Sequence, residues 1–223
     1  MLKKTEKTMK SALIITSLIN DAVRIRRSIL EAPYDMIITC DAGNDRAKEL
    51  GIKPDIVIGD FDSSKSVPVS SEADDSPEIV TLPHEKDMTD TEAACDLAYS
   101  RGAGVITIVG GLGGRFDHTM ANIGLMSKFL GKADIFILDG DNFVRMLAPG
   151  EYKIISAGYT YLGLIAYGEP VKELTLSGTY YPLENHDLTP DTSLAISNEI
   201  VNEPATVKFT SGQLLVIQSD DAI

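Results

Sequence analysis

Two carboxylates close the apolar segment IVIGDFDSS, residues 56–64, where Asp60 and Asp62 are separated by one residue. Residues two apart in an extended chain point the same way, so both carboxylates can bind one ion, and Gly59 before them leaves room for it. Oxygen ligands that leave positions open for water and phosphate suit Mg2+ better than zinc. The pair therefore predicts a magnesium site, with Asx turns at the end of a strand as the alternative.

A second acidic segment is PHEKDMTDTE, residues 83–92, which contains Asp87 and Asp90. Thr89 and Glu92 have the spacing of a capping box, so a helix is predicted to begin here. Carboxylates are favoured at the positive end of the helix dipole, and capping alone would explain these residues. Taken alone, this segment favours helix capping over a ligand role for Asp87 and Asp90.

The third segment is GGLGGRFDH, residues 110–118, which places four glycines between a predicted strand and a predicted helix. Glycines allow the backbone to turn its N–H groups toward an anion. An arginine adds a bidentate positive group. The segment therefore predicts a phosphate-binding loop formed by Gly111, Gly113, Gly114 and Arg115, with a ligand-free turn as the alternative. It is not a Walker A loop, since no Gly-Lys-Ser/Thr follows, and Phe116 breaks the GxGxxG spacing.

These segments can act together only if secondary structure brings them to one place. Up to about residue 138, short β-branched runs alternate with amphipathic runs, as in a mostly parallel sheet covered by helices. The pattern predicts strands at 12–16, 36–40, 56–58, 79–82, 105–109 and 135–138. It predicts helices at 21–32, capped by Asn20, at 44–50, at 89–101 and from about 118. Ligands bind beyond the carboxyl ends of such strands, so the three segments are expected to share one edge.

After residue 139 the helical patterns disappear and alternating runs such as YTYLGLIAY and QLLVIQSD follow. They predict an antiparallel β-sandwich, in which the last two runs, 205–212 and 213–220, form a hairpin. The predicted fold class is therefore α/β, with a Rossmann-like, mostly parallel sheet flanked by helices at 11–140 and a C-terminal antiparallel β-sandwich at 141–223. Residues 1–10 are predicted to be a flexible extension, and residues 63–77 a surface loop.

Composition excludes several function classes. The formal net charge of −13 would repel nucleic acid and anionic membranes, and no apolar run approaches the roughly 20 residues of a membrane span. The lysines before the run at 12–19 imitate a signal peptide, but the run is short and no cleavage site follows it. Cys40 and Cys95 have no ligand spacing and are predicted to be reduced core residues. We therefore expect a cytoplasmic protein.

Four segments, in order along the chain, resemble the thiamine pyrophosphokinase family. They are DAGNDRAKELGIKPDIVIGDFDSS, KDMTDTEAA, GGLGGRFDH and AISNE, and the resemblance extends over nearly the whole chain from about Ser11. It implies Mg2+-dependent transfer of the pyrophosphoryl group of ATP to the hydroxyl of thiamine, which gives thiamine diphosphate and AMP. It also implies a homodimer whose active site lies at the subunit interface.

The resemblance assigns roles by matching motifs. The implied metal ligands are Asp60, Asp62 and Asp90, which together with Arg115 and Asp117 form the catalytic set. The implied nucleotide-binding residues are Thr89, Gly111, Gly113, Gly114, Arg115 and Asp117. The implied substrate-binding residues are Asp41, Ser197 and Asn198.

Two positions depart from the family pattern. Ala93 stands where some members carry Lys, so one phosphate contact is missing or is supplied by Lys86. The chain also has no Trp, against which some members pack thiamine, so a Tyr, Phe or aliphatic wall would replace it. Two alternatives stay open: a pyrophosphokinase for a hydroxymethyl pterin, and a nucleotide sensor without catalysis. A dehydrogenase is disfavoured because the GxGxxG spacing is missing.

Overall fold

The computed structural model of the protein describes residues 9–30, 33–41, 43–61 and 76–221. Residues 1–8 of the predicted extension, most of the predicted loop at 63–77, and Asp62 lie outside the described residues. The first part of the chain contains β1 (Lys10–Ile15), α1 (Ala22–Leu30), β2 (Met36–Cys40), α2 (Gly43–Leu50), β3 (Ile56–Gly59), β4 (Glu78–Thr81), α3 (Asp90–Ser100), β5 (Ala103–Val109), α4 (Phe116–Phe129) and β6 (Asp134–Leu138). The second part contains β7 (Asn142–Leu147), β8 (Gly150–Ile154), β9 (Tyr161–Ala166), β10 (Val171–Ser177), β11 (Leu183–Leu188), β12 (Ala205–Phe209) and β13 (Leu214–Ser219).

Nine strands form the main sheet, in the order β4-β3-β2-β1-β5-β6-β7-β13-β9. The first six are parallel, and β7, β13 and β9 are antiparallel. The chain leaves β1 toward β2, β3 and β4, then returns to the other side of β1 to form β5 and β6. The strand order therefore reverses between β1 and β5, which is where open α/β sheets bind ligands.

Both faces of the parallel part are covered. Helices α3 and α4 pack on one face through residues such as Cys95 and Phe129. Helices α1 and α2 cover the other face through Ile25 and Leu50. Because neither face meets water, β1 and β3 are almost continuously apolar instead of alternating.

A second sheet, in the order β11-β10-β12-β8, is antiparallel. It packs on the part of the first sheet that β7, β13 and β9 form. Its inner side chains, among them Leu174 and Phe209, meet Leu164 and Val216 of the main sheet. The predicted fold class is confirmed: a mostly parallel sheet with helices is followed by an antiparallel sandwich. One layer of this sandwich continues the parallel sheet through β7, β13 and β9.

The predicted hairpin at 205–220 is wrong. Strand β12 pairs with β10 and β8, whereas β13 pairs with β7 and β9, so the two runs belong to different sheets. Gly212, with φ of 92°, lies at the corner, where a side chain would collide with the backbone of Pro170. A turn former between two alternating runs marks a reversal of the chain, and it does not determine which strands pair.

Two helix starts show how well caps are read from sequence. The predicted cap of α3 is confirmed, because the Thr89 side chain accepts a hydrogen bond from the N–H of Glu92. The predicted cap of α1 is wrong by one residue, since Asp21, not Asn20, accepts from the N–H groups of Val23 and Arg24. Even the longest helix of the described ranges, α4 with 14 residues, is too short and too polar to cross a bilayer.

Candidate active site

A cleft of about 370 Å³ opens at the carboxyl ends of β1, β2 and β5. Most of the residues predicted for a nucleotide site line it, together with one predicted for substrate and one predicted as a metal ligand. These lining residues are Asp41, Thr89, Asp90, Gly111, Gly113, Gly114 and Arg115. They come from three separate segments of the chain, which meet because parallel strands end at the same edge of the sheet.

Two of the predicted metal ligands meet at one positive charge. The Lys86 ammonium lies 2.9 Å from Asp60 Oδ2 and 2.8 Å from Asp90 Oδ1. Asp60 directly follows β3 and Asp90 begins α3, so both carboxylates converge from different elements. Within the described residues, no three acidic, His or Cys side chains form a metal site on their own. The oxygen donors suit a divalent cation, and Asp62, the third predicted ligand, falls outside this part of the chain.

Asp41 lies beside this pair. Its backbone has φ of 41°, and its Oδ1 accepts the N–H of Phe61 at 3.4 Å. Burial, a hydrogen bond with Asp90 and the negative charge of Asp90 raise the pKa of Asp41 to about 6. The space that Gly59 was expected to leave for an ion is taken by Asp41, because a Cβ at residue 59 would overlap its carboxyl group.

The glycine loop between β5 and α4 is strongly bent. Gly110, Gly113 and Gly114 have φ of 79°, 85° and 63°, a region in which other residues are strained. The side chain of Asn122 fixes the loop by donating to Gly111 O at 2.8 Å, and Thr119 Oγ1 accepts the N–H of Gly113 at 3.1 Å. The loop is therefore held in shape by α4, which it precedes.

Arg115 and Asp117 form an exposed bidentate pair. Nη2 and Nε of the arginine lie 2.6 and 3.2 Å from the two carboxylate oxygens, and the side chains are 73% and 64% exposed. The hydrogen bond from the guanidinium lowers the pKa of Asp117. Arg115 lines the cleft, whereas Asp117 lies beside it and directs the guanidinium.

The structure does not bring Ser197 and Asn198 into this cleft. Ser197, with φ of 54°, lines a second hollow of about 380 Å³ beside β9 and β13, whose walls include Tyr161 and Ile217. The Asn198 side chain is 3% exposed and is committed to the backbone of its own chain. Its Nδ2 donates to Tyr181 O at 2.7 Å, and its Oδ1 accepts the N–H of Tyr181 at 2.9 Å. Among the described residues, the two hollows share none of their walls.

Sequence reasoning missed the residues that follow β1. Thr16 Oγ1 donates to Gly110 O at 2.7 Å and so joins the end of β1 to the glycine loop. Thr16, Ser17 and Leu18 all line the cleft. These residues lie where the strand order reverses, which is the usual place for a ligand in such a sheet. The strand order is not evident from the sequence, so this signal could not be used.

Comparison with known proteins gives two family matches. The model described as thiamin pyrophosphokinase, catalytic domain, matches residues 29–137, and the one described as thiamin pyrophosphokinase, vitamin B1 binding domain, matches residues 151–214. The thiamine pyrophosphokinase of Bacillus subtilis is 36% identical over 191 residues, which cover 84% of this chain and 89% of the relative.

Comparison with solved structures gives matches to the same family. The crystal structure of the Bacillus subtilis thiamine pyrophosphokinase has a TM-score of 0.82 at 31% identity, and the match covers 96% of this chain and all of that one. The thiamin pyrophosphokinase of Geobacillus thermodenitrificans has a TM-score of 0.80 at 31% identity, with 95% and 98% covered. The match therefore includes both the parallel sheet and the sandwich.

Proposed function

The chain belongs to the thiamin pyrophosphokinase family, and we propose that its cleft transfers the pyrophosphoryl group of ATP to the hydroxyl of thiamine. The products are thiamine diphosphate and AMP. The observation that carries this proposal is the convergence of Asp60 and Asp90 on one positive charge beside the glycine loop. Transfer of phosphoryl groups depends chiefly on positioning and on neutralising charge, which this arrangement can supply.

The residues divide by role. Asp60, Asp62 and Asp90 hold Mg2+, which neutralises charge on the triphosphate when it is bound. The nucleotide is bound by Thr89, Gly111, Gly113, Gly114 and Arg115, and Asp117 contributes by holding the Arg115 guanidinium. Residues 11–140 form the catalytic unit, and residues 141–223 bind thiamine and form the dimer contact. A cytoplasmic location is supported by the two buried free thiols.

Thiamine binding needs the second hollow. Asp41 lines the cleft and Ser197 lines the hollow beside β9, while Asn198 holds the segment that carries Ser197. Because these walls are separate within one chain, a homodimer in which the hollow of one subunit faces the cleft of the other would complete the site. Asp62→Asn and Ser197→Trp subunits, each inactive alone, would then regain about a quarter of wild-type activity when refolded together. If the mixed subunits regained no activity, the whole site would lie within one subunit.

The reaction is tested by its products. Purified protein is incubated with ATP, Mg2+ and thiamine, and the nucleotides are separated by ion-exchange chromatography. AMP that appears in step with thiamine diphosphate supports the proposal, whereas ADP would indicate a different transfer. AMP that requires a hydroxymethyl pterin instead of thiamine would indicate the other substrate, and ATP binding without turnover would indicate a sensor.

A further inference from the structure

Lys86 lies where a cation would bind. Its ammonium is 2.9 Å from Asp60 Oδ2 and 2.8 Å from Asp90 Oδ1, and its side chain is only 14% exposed. It reaches this position from the segment before α3, four residues ahead of Asp90. The two carboxylates are therefore neutralised by a group that belongs to the protein itself.

An ammonium and a divalent cation cannot share this position. Two positive charges about 3 Å apart repel each other strongly, and repulsion is stronger where water is partly excluded. A cation that binds Asp60 and Asp90 must therefore displace Lys86. The displaced ammonium then needs another anion, because a partly buried charge that loses its partner is costly. The phosphates of a nucleotide in the adjoining cleft can supply that anion.

We propose that Lys86 is an internal counterion that opposes binding of the free divalent cation until a nucleotide arrives, and then moves from the carboxylates to phosphate. This inference rests on the proposed function, because it takes Asp60 and Asp90 as the metal ligands. Lysine suits such a movement, since its compact charge is carried on a flexible stem, unlike the planar fork of arginine. The cation and the triphosphate then bind together, and neither carboxylate is left unpaired.

The test measures two affinities in the Lys86→Met variant, which are expected to change in opposite directions. Mn2+ binding to the nucleotide-free protein, followed by electron paramagnetic resonance, is expected to tighten about tenfold. Binding of Mg2+ with a non-hydrolysable ATP analogue, followed by calorimetry, is expected to weaken about tenfold. If Lys86 had only a structural role, its loss would disorder the carboxylates. Both affinities, for free Mn2+ and for Mg2+ with the ATP analogue, would then weaken.

Lys128→Met is the matched control. Lys128 also bridges two carboxylates, Glu92 Oε1 at 2.9 Å and Asp96 Oδ2 at 2.8 Å, but on the side of α3 outside the cleft. Its loss should change neither affinity. Lys86→Arg, which keeps the charge, should keep free Mn2+ binding weak.

Unchanged or weaker Mn2+ binding in Lys86→Met overturns the inference. Thermal unfolding checks that the variant is folded, and Lys86→Gln, which keeps a polar end, replaces it if it is not. Neither measurement uses thiamine or turnover. A protein that shows both expected signs but transfers nothing to thiamine would keep this inference and reject the proposed function.

Discussion

The Asp41 carboxyl group occupies the space that a side chain at residue 59 would need. Asp41 follows β2 and Gly59 ends the neighbouring strand β3, and the N–H of Asp41 donates to Ile58 O at 3.0 Å. Because Gly59 has no side chain, the carboxylate of Asp41, from the neighbouring strand, can lie beside Asp90. A glycine that looks like part of an acidic motif acts by making room for a residue 18 positions earlier in the chain.

Gly59→Ala should therefore damage the site through Asp41. The new methyl group would push the carboxyl group away, at a cost of about 1–3 kcal/mol in the free energy of unfolding. Displacing a cleft residue by an ångström can lower kcat/KM about 100-fold. Chemical denaturation and steady-state kinetics measure the two effects.

A double variant checks that mechanism. In an Asp41→Ala background the clash disappears, so adding Gly59→Ala should cost less than about 0.5 kcal/mol. Gly163→Ala is the control for stability, because a methyl group there would make only ordinary contacts, 3.8 Å from Ile217. Equal destabilisation by Gly59→Ala in both backgrounds would contradict the role given to Asp41.

Asp62→Asn should separate activity from stability. The change removes one negative charge from the proposed metal ligands and no apolar packing, so kcat/KM is expected to fall about 100-fold or more. The free energy of unfolding should change by less than about 0.5 kcal/mol. Asp96→Asn, which makes the same charge change at a residue of α3 that does not line the cleft, should leave activity intact. Unchanged activity of Asp62→Asn at saturating Mg2+ would contradict the metal assignment.

Arg115→Ala should raise the KM for ATP about 10- to 100-fold, because a charge-assisted contact to phosphate is lost. Since the Arg115–Asp117 pair is exposed, stability should not change measurably. Arg101→Ala, which removes another bidentate pair, with Glu78, should leave the KM for ATP unchanged. A similar rise in KM for both variants would point to a general effect of charge.

The same variant has a pH signature. Arg115 lowers the pKa of Asp117, so the pair is intact at neutral pH and is lost as the pH falls through that lowered value. Without the guanidinium, the pKa of Asp117 should rise toward its ordinary value. Carboxyl carbon chemical shifts, followed by NMR as a function of pH, would report this rise, and an unmoved titration would contradict the pairing.

Ser197→Ala and Asn198→Ala should differ in kind. Asn198 satisfies the N–H and C=O of Tyr181, so its loss should cost about 1–3 kcal/mol in the free energy of unfolding. Ser197 is exposed in its hollow, so its loss should leave stability unchanged and raise the KM for thiamine about tenfold. A stable Asn198→Ala protein with only a raised KM would make Asn198 a direct thiamine contact instead.

Much of the fold could be read from local pattern. Hydrophobic periodicity reports burial over a few residues, which is why the strands that carry Asp41, Asp60 and the glycine loop were placed correctly. The carboxyl ends of parallel strands must share an edge, so the convergence of these segments also followed from the sequence. The Thr89 cap followed from spacing alone.

Pairing partners could not be read in this way. Alternation shows that β12 and β13 each have one buried face, but the packing of the whole sandwich decides that they lie in different sheets. The same limit hid the overlap between Asp41 and residue 59, and the separation of Ser197 from the cleft.

By itself, the sequence determined which residues could do chemistry and at which edge of the sheet they would lie, because both depend on residue type and local period. Only the tertiary structure decided that Lys86 neutralises Asp60 and Asp90, and that Asp41 fits against Gly59. Such contacts join side chains from different strands and loops, and they depend on the distances that packing of the complete sheet imposes.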